Sequence, residues 1–342
     1  MRPNTIRLLY IGNKLNKDGF TPGVIETLGP HLQKEGYNVS YAGTYKNRFL
    51  RFAEMLWETL TLGRKVDYIL IDTYSTSAFW YAYFCGRLAK IIRTKYIPIL
   101  HGGDLPSRLK RSKRACDKLF KNSYANVAVS GYLNHEFEKA GYRTIIIPNS
   151  IDISKYPFRL REKPRPKLLW VRAFHRQYNP FMAADVLANL LYSYPDAELC
   201  MVGPDKDGSM EEFRKYIRLK GIENKVKITG KLSKEEWVVL SENYDFFLNT
   251  TNVDNTPVSV IEALALGLLV VSTNVGGIPY LLNHKKDAYL VESQNAQQMT
   301  NAVIEIMHNS ELVSQLILNA RKKAESFGWE KVKKNWIELL AV

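Results

Sequence analysis

The chain has 342 residues, 46% of them hydrophobic, and 48 Lys+Arg against 34 Asp+Glu give a formal net charge of +14. This length exceeds the usual single hydrophobic core, and the apolar content suffices for two. Cys85, Cys116 and Cys200 lie far apart with no CxxC pair, so neither a disulfide framework nor a zinc site is expected, and a cytoplasmic setting fits.

The first apolar run, residues 6–11, is too short for a signal-peptide core and gives way to a polar, Gly-containing loop, so it reads as a first strand. No run approaches the ~18 to 20 apolar residues that cross a bilayer, so a soluble or peripherally attached chain is expected. Further strands are predicted at 38–41, 67–71, 95–100, 126–129 and 144–147. Helical stretches separate them, with Thr21-Pro22 as a cap and first-turn pair and Gly36 as a stop. Repeated βα units of this kind imply a parallel, twisted sheet covered on both faces. The aromatic run 77–84, SAFWYAYF, reads as one buried helix filling the first core.

Two stretches of this first half concentrate the positive charge. One holds Arg108, Lys110, Arg111, Lys113, Arg114, Lys118 and Lys121, close behind His101. The other, 46–65, interleaves basic residues with Phe49, Phe52, Met55, Leu56 and Leu60, which can form one helical face. Nucleic acid, an anionic membrane surface and phosphorylated substrates are the partners such charge suits; the plainer alternative is a solvated helix face over a core.

Residues 156–167, YPFRLREKPRPK, are rich in proline and charge and read as an interdomain linker. A second series of strands is predicted at 168–171, 198–202, 225–228, 246–249, 269–272 and 288–291, and from 296 the chain is mostly helical. GxGxxG, GxxxxGK[ST], low-complexity tracts and short-period repeats are all missing from the sequence. Two stacked Rossmann-like domains follow, with ligands expected at the carboxyl ends of both sheets.

Residues 249–282 carry the most chemistry. After a predicted strand, a polar loop runs to Thr256, and Pro257 is expected in a first helical turn, where its missing N–H costs nothing. The N–H groups near Val258 and Ser259 then carry the positive end of the helix dipole, which suits a diphosphate. Glu262, about one turn further in, can accept hydrogen bonds from two neighbouring hydroxyls. Gly267 ends this helix and Gly276-Gly277 opens the next. Asp254 and Glu262 thus flank one helix start; carboxylates at that spacing are common on solvated helices, and it is the surrounding constellation that raises the pair above that reading.

This constellation, DNTPVSVIEALALGLLVVSTNVGGIP, resembles the signature of the family 4 retaining glycosyltransferases of GT-B fold: Glu, seven residues, Glu, an Ala-rich turn, a strand and Gly-Gly-Ile-Pro. Other landmarks follow in the same order. IPILHGGD is similar to the strand-and-His element of the family's first domain, and AVSGYLNHEFEKAGYRTIIIPNSIDISKY to the segment ending Asn-Gly-Ile-Asp. PDAELCMVGPDKDG is similar to its Val-Gly loop, VKITGKLSKEEW to its nucleobase-side turn, and FGWEKVKKNW to its closing helix.

The resemblance implies an α/β fold of two Rossmann-like domains facing across a cleft. These would be an acceptor-binding domain at 1–157, a nucleotide-sugar-binding domain at 158–325, and a helix at 326–342 crossing back to the first. It implies sugar transfer, with retention, from a nucleotide-diphosphate sugar to a glycan or lipid-linked acceptor in cell-surface polysaccharide synthesis, without metal or other cofactor. Glu262 would bind the ribose, Asp254 would stand near the transferred sugar in the place of the first Glu, and Asn255, Thr256, Pro257 and Val258 would meet sugar and phosphate. Gly203 and Lys231 fall in the donor-binding loops, Arg172 would neutralise the leaving diphosphate, and His101 would lie against the donor sugar as a positioning and electrostatic group.

Four positions depart from the pattern. Asp254 is one methylene shorter than Glu. The Lys expected soon after Arg172 is missing from RAFHRQYNP, leaving His175 or Arg176 as substitutes. Tyr280 takes a place that is usually acidic, and the loop 12–23 lacks the common Gly-Gly pair. Asp205-Lys206-Asp207 has the DxD form that binds Mn²⁺ or Mg²⁺ in the other major glycosyltransferase fold, but its Gly-Pro-flanked turn explains both acids by turn chemistry. An anionic membrane on the inner face of the plasma membrane is the expected surface partner. A catalytically silent nucleotide-sugar or lipid-binding module is the alternative. Nucleic-acid binding ranks below both, since no recognition motif accompanies the charge.

Overall fold

The structure, a computed structural model, describes residues 5–18 and 23–341. The expected Thr21-Pro22 cap lies outside them. The chain divides into two compact units: one runs to Ser150 and resumes at Trp329, and the other spans Ile151–Gly328.

The first unit contains β1 (Arg7–Ile11), α1 (Ile25–Lys34), β2 (Asn38–Ala42), α2 (Arg48–Thr61), β3 (Tyr68–Thr73), α3 (Phe79–Ile91), β4 (Lys95–Leu100), α4 (Leu105–Arg111), α5 (Lys113–Phe120), β5 (Val127–Ala128), α6 (Gly131–Lys139) and β6 (Ile145–Ile146). Its strands form one parallel sheet in the order β2-β1-β3-β4-β5-β6. Every residue of β3 is buried, as a central parallel strand covered on both faces requires. At Gly36 the backbone turns left-handed (φ +93°) one residue beyond the cap of α1, where a glycine stop belongs.

The second unit contains β7 (Lys167–Val171), α7 (Pro180–Leu191), β8 (Glu198–Val202), α8 (Ser209–Leu219), β9 (Val226–Gly230), α9 (Lys234–Leu240), β10 (Phe246–Asn249), α10 (Val258–Ala265), β11 (Leu269–Thr273), α11 (Ile278–Leu281), β12 (Tyr289–Val291), α12 (Ala296–Met307) and α13 (Ser310–Ser326). Its sheet, also parallel, runs β12-β11-β10-β7-β8-β9. The closing helix α14 (Trp329–Leu340) belongs to the first unit, where Val332, Trp336 and Leu340 enter the core and Trp329 Nε1 donates to Glu35.

The Pro- and charge-rich stretch 156–167 is pinned to the second unit by Arg161. Its buried guanidinium donates to the carbonyls of Tyr244, Leu266 and Ser241 and faces Asp245 at 3.6 Å. Burial pulls that guanidinium down to about 10, against the opposing pull of Asp245.

Two expectations about apolar faces need correction. On α2 the five apolar residues fall within one arc of about 140°, but the core takes only one side of it: Met55 is buried and Phe52 and Leu56 pack against the core, whereas Phe49 and Leu60 are exposed. On α3, Phe79, Tyr81 and Ala82 are buried while Trp80 and Phe84 face outward. The 3.6-residue period accounts for both, since each helix carries more apolar residues than a single stripe holds.

Candidate functional site

The second unit gathers most of the predicted residues at the carboxyl ends of its strands. Arg172 follows β7, and its N–H donates to Val202 O at 2.9 Å. Gly203 allows that approach: at φ +152° its backbone lies so close that an added Cβ would stand 1.7 Å from Arg172 O. Beside them is a cavity of about 310 Å³ whose lining includes Arg172, Tyr178, Gly203, Lys206, Lys231, Lys234, Trp237 and Ser259. Four cations line this one small cavity, an arrangement whose charge suits an anion.

Arg172 lies over the Tyr178 ring, 4.4 Å from its centroid, and ion-pairs with Asp254. Burial lowers the guanidinium from its ordinary value. Asp254 Oδ1 also accepts from Asn255 N at 2.9 Å, and Asp254 O accepts from Gly277 N at 2.9 Å. This explains the glycine pair: a Cβ on Gly276 would come within 2.3 Å of Asp254 O, and one on Gly277 within 2.0 Å of Asn255 O. Only glycines let the α11 turn close over the Asp254 loop.

Pro257 stands one position earlier than expected, as the extended N-cap of α10 rather than in its first turn. The N–H groups of Val258 and Ser259 have no acceptor among the described residues, and the Ser259 hydroxyl, which lines the cavity, is buried without a partner. Asn255 is nearly buried and Thr256 half-buried on the same loop. Glu262 is buried within α10, and its Oε1 accepts from Tyr156 Oη at 2.6 Å and from Lys234 Nζ at 2.7 Å. Burial, then the Glu262 charge, pushes the Tyr156 phenol up, so it remains a donor.

Neither expected substitute for the missing Lys reaches the cavity. Arg176 grips Glu212 through both carboxylate oxygens (2.8 and 2.9 Å), and His175 Nδ1 accepts from Gln177 N at 3.1 Å. Lys206 lines the cavity instead, from the DxD-like turn. That turn uses its acids on backbone: Asp205 accepts from Gly208 N, and Asp207 from Arg176 N and Ser209 N. Hydrogen bonds from Ser209 lead in holding the Asp207 carboxyl down at about 2. Among the described residues no cluster of three or more His, Cys, Asp or Glu is placed to hold a metal.

In the first unit His101 follows β4, buried, with Nε2 3.0 Å from Asp72 Oδ1 and the Tyr74 ring stacked at 5.1 Å. The basic cluster behind it is partly committed: Arg108 donates to the carbonyls of Ser75 and Thr76, Arg111 pairs with Asp104 and Lys121 with Asp117. Sequence reasoning missed Asp72, Tyr156, Tyr178, Lys206, Lys234 and the hydroxyl of Ser259, whose N–H alone was expected at the site. The readable hint was the placement of Lys206 and Lys234 just after predicted strands.

Two six-stranded parallel sheets, each with its helices, are the architecture of the GT-B class of glycosyltransferases. The fold is shared over nearly the whole chain with the Anabaena protein Alr3699/HepE, solved with UDP and glucose: TM-score 0.75, 18% identity, 98% of this chain and 99% of that one. The chain belongs to the family of glycosyl transferases group 1, whose model matches residues 152–323. It is 27% identical over 152 residues to an uncharacterized glycosyltransferase of Haemophilus influenzae, covering 44% of this chain and 42% of the relative. It is 24% identical over 254 residues to the amylovoran biosynthesis glycosyltransferase AmsK of Erwinia amylovora, covering 70% of this chain and 62% of the relative. The matches thus span less than two thirds of these relatives' own lengths.

Proposed function

We propose that this glycosyltransferase takes a sugar from a nucleotide-diphosphate donor, bound on the second unit, and passes it with retention and without metal to a glycan or lipid-linked acceptor held on the first. Cell-surface polysaccharide synthesis is the setting proposed, as the AmsK likeness suggests. The observation that carries the reading is the cavity itself, with Arg172, Lys206, Lys231 and Lys234 around it and unpartnered Ser259 and Val258 donors at the start of α10. A diphosphate needs such charge and such donors. Glu262, steadied by Tyr156 and Lys234 through Oε1, keeps Oε2 for ribose hydroxyls.

On donor binding Arg172 exchanges Asp254 for the diphosphate, and the released carboxylate is available to hydroxyls of the transferred sugar. As the glycosidic bond breaks, negative charge grows on the leaving diphosphate, and Arg172 with Lys206 is then in place to stabilise it. His101 is assigned to positioning a sugar ligand. Donor turnover, followed as nucleoside diphosphate release, should fall by 100-fold or more, as an estimate from lost transition-state contacts, in Arg172→Ala and Glu262→Ala. Undiminished turnover in both rejects the assignment.

A second reading, a silent nucleotide-sugar-binding module, is favoured by one observation: Arg172 and Asp254 already neutralise each other without a ligand. Nucleotide binding with no product across a broad panel of donors and acceptors would select it.

The first unit is further proposed to rest on an anionic membrane, on its cytoplasmic face. Phe49 and Trp57 (70% and 65% exposed) with Leu50 and Leu60 on α2, and Trp80, Phe84 and Ile91 on α3, form an apolar surface. Exposed Lys46, Arg48, Arg64, Lys65, Lys90 and Arg93 lie at the ends of these helices. Apolar side chains ringed by cations suit an anionic lipid interface. Among the described residues no helix is long and apolar enough to cross a membrane.

A further inference from the structure

We propose that Asp72 is a positioning residue that fixes His101 in the Nε2–H form and so reserves Nδ1 to accept a hydrogen bond from a hydroxyl of the bound sugar. The inference rests on the reading of His101 as a sugar-contacting group and adds to it the atom, the direction of the hydrogen bond and the residue that imposes them.

Three constraints act on this ring. His101 N–H donates to Thr73 O at 2.8 Å, which fixes the backbone, and Gly102 turns left-handed at φ +87° immediately after. Tyr74 stacks on one face of the imidazole with 29° between the planes, which fixes the ring's tilt. Asp72 Oδ1, 3.0 Å from Nε2, selects which nitrogen points inward. The same oxygen accepts the Tyr10 hydroxyl at 3.0 Å. Tyr10 is a committed donor, since burial foremost, and then Asp72, drives its phenol well above the ordinary value. An oxygen already receiving one O–H acts as the acceptor toward the imidazole, so the proton lies on Nε2 and the Nδ1 lone pair stays open. Nδ1 has no partner among the described residues, and the side chain keeps a 6% exposed edge.

A merely structural polar pair would use all its lone pairs. Asp72 does not: Oδ2 is buried with no hydrogen-bond partner, held so near Gly12 that a Cβ there would stand 2.5 Å away. A buried carboxylate with one oxygen unsatisfied is less stable than an apolar filling of the same space, so its presence calls for a role other than stability. Aligning an imidazole through a buried carboxylate is a recurrent device, and replacing such an Asp by Asn presents an amide donor to the ring and favours the wrong tautomer.

The test is long-range ¹H–¹⁵N correlation on the intact chain labelled at histidine, with His101 assigned by loss of its signal in His101→Gln. The expected wild-type pattern is a protonated Nε2 and a bare Nδ1. Asp72→Asn should move the proton to Nδ1 and lower turnover by about 100-fold or more, while the thermal shift produced by the nucleoside diphosphates alone, which lack the transferred sugar, stays at its wild-type size. A proton on Nδ1 of the wild-type ring, neutral or cationic, overturns the proposal, and so does an Asp72→Asn protein with unchanged tautomer and turnover. The wild-type spectrum decides even where Asp72→Asn does not fold. A chain that transfers no sugar yet shows Nε2–H at His101 keeps the tautomer assignment and fails only the functional reading.

Discussion

Arg172 and Asp254 are each other's counter-ion, joined at the carboxyl edge of the second sheet with side chains only 18% and 13% exposed. The two residues lie on different strand–loop connections, after β7 and after β10, and those strands pair side by side in the sheet. Although one methylene shorter than Glu, Asp254 reaches the guanidinium while its backbone stays clasped by Gly276 and Gly277.

Removing one partner of such a pair leaves a buried charge alone. Asp254→Ala should therefore cost about 3 kcal/mol in urea unfolding of the intact chain, and added nucleoside diphosphate should recover part of the loss by taking the place of the carboxylate. A variant as stable as the parent would show that the pair is not buried in solution.

Tyr156→Phe deletes one hydrogen bond to Glu262 and leaves the carboxylate in place. A hydrogen bond to a charged group is worth about 1.5 to 3 kcal/mol, so nucleotide affinity by calorimetry should weaken by roughly tenfold or more, with kcat changed little. A drop in kcat at constant affinity would place Glu262 in the chemical step instead.

Asp207 gives a pH prediction. Its folded carboxyl is held down at about 2 by Ser209 first and Arg176 N–H after it, below the ordinary value of about 3.9. A depressed acid stabilises the fold above its unfolded value, and that contribution is lost as pH falls through the folded one. Asp207→Asn should thus lower Tm at neutral pH, and the gap should narrow between about pH 4 and pH 2. A gap independent of pH would mean that the charge on Asp207 is not what stabilises the fold.

Membrane attachment separates into two terms. Phe49→Ser with Trp57→Ser should abolish co-sedimentation with vesicles containing anionic lipid at all salt concentrations, whereas Lys46→Ala with Arg48→Ala should weaken it most at low salt. Binding indifferent to both pairs would locate the lipid contact elsewhere or remove it.

Much of this was readable before the fold was known, for identifiable reasons. Parallel strands buried on both faces are short, mostly apolar runs, and β4, β8 and β10 have the bounds expected at 95–100, 198–202 and 246–249. Local patterns single out Asp254 and Glu262, through a polar loop and a proline-started helix, whereas Arg172 enters only through the family resemblance. Tyr156 was not legible, because it meets Glu262 from 106 residues away, and His101 and Asp72 are joined only when β3 and β4 pair. Lys206 was hidden inside a turn whose acids drew attention as a metal motif. On α2 the apolar arc continues through Leu50 and Trp57, and periodicity alone does not say which part of it the core takes.

The most direct test of the account is a thermal-shift titration of the intact chain with UDP-, GDP-, ADP-, CMP- and dTDP-sugars. A ligand at 100 times its Kd stabilises the folded state by about 2.7 kcal/mol. One nucleotide class should raise Tm by several degrees, and Arg172→Ala or Glu262→Ala should abolish the shift. A Tm that responds to none of the five, with the protein folded, would contradict the assignment of a nucleotide-sugar site to the second unit.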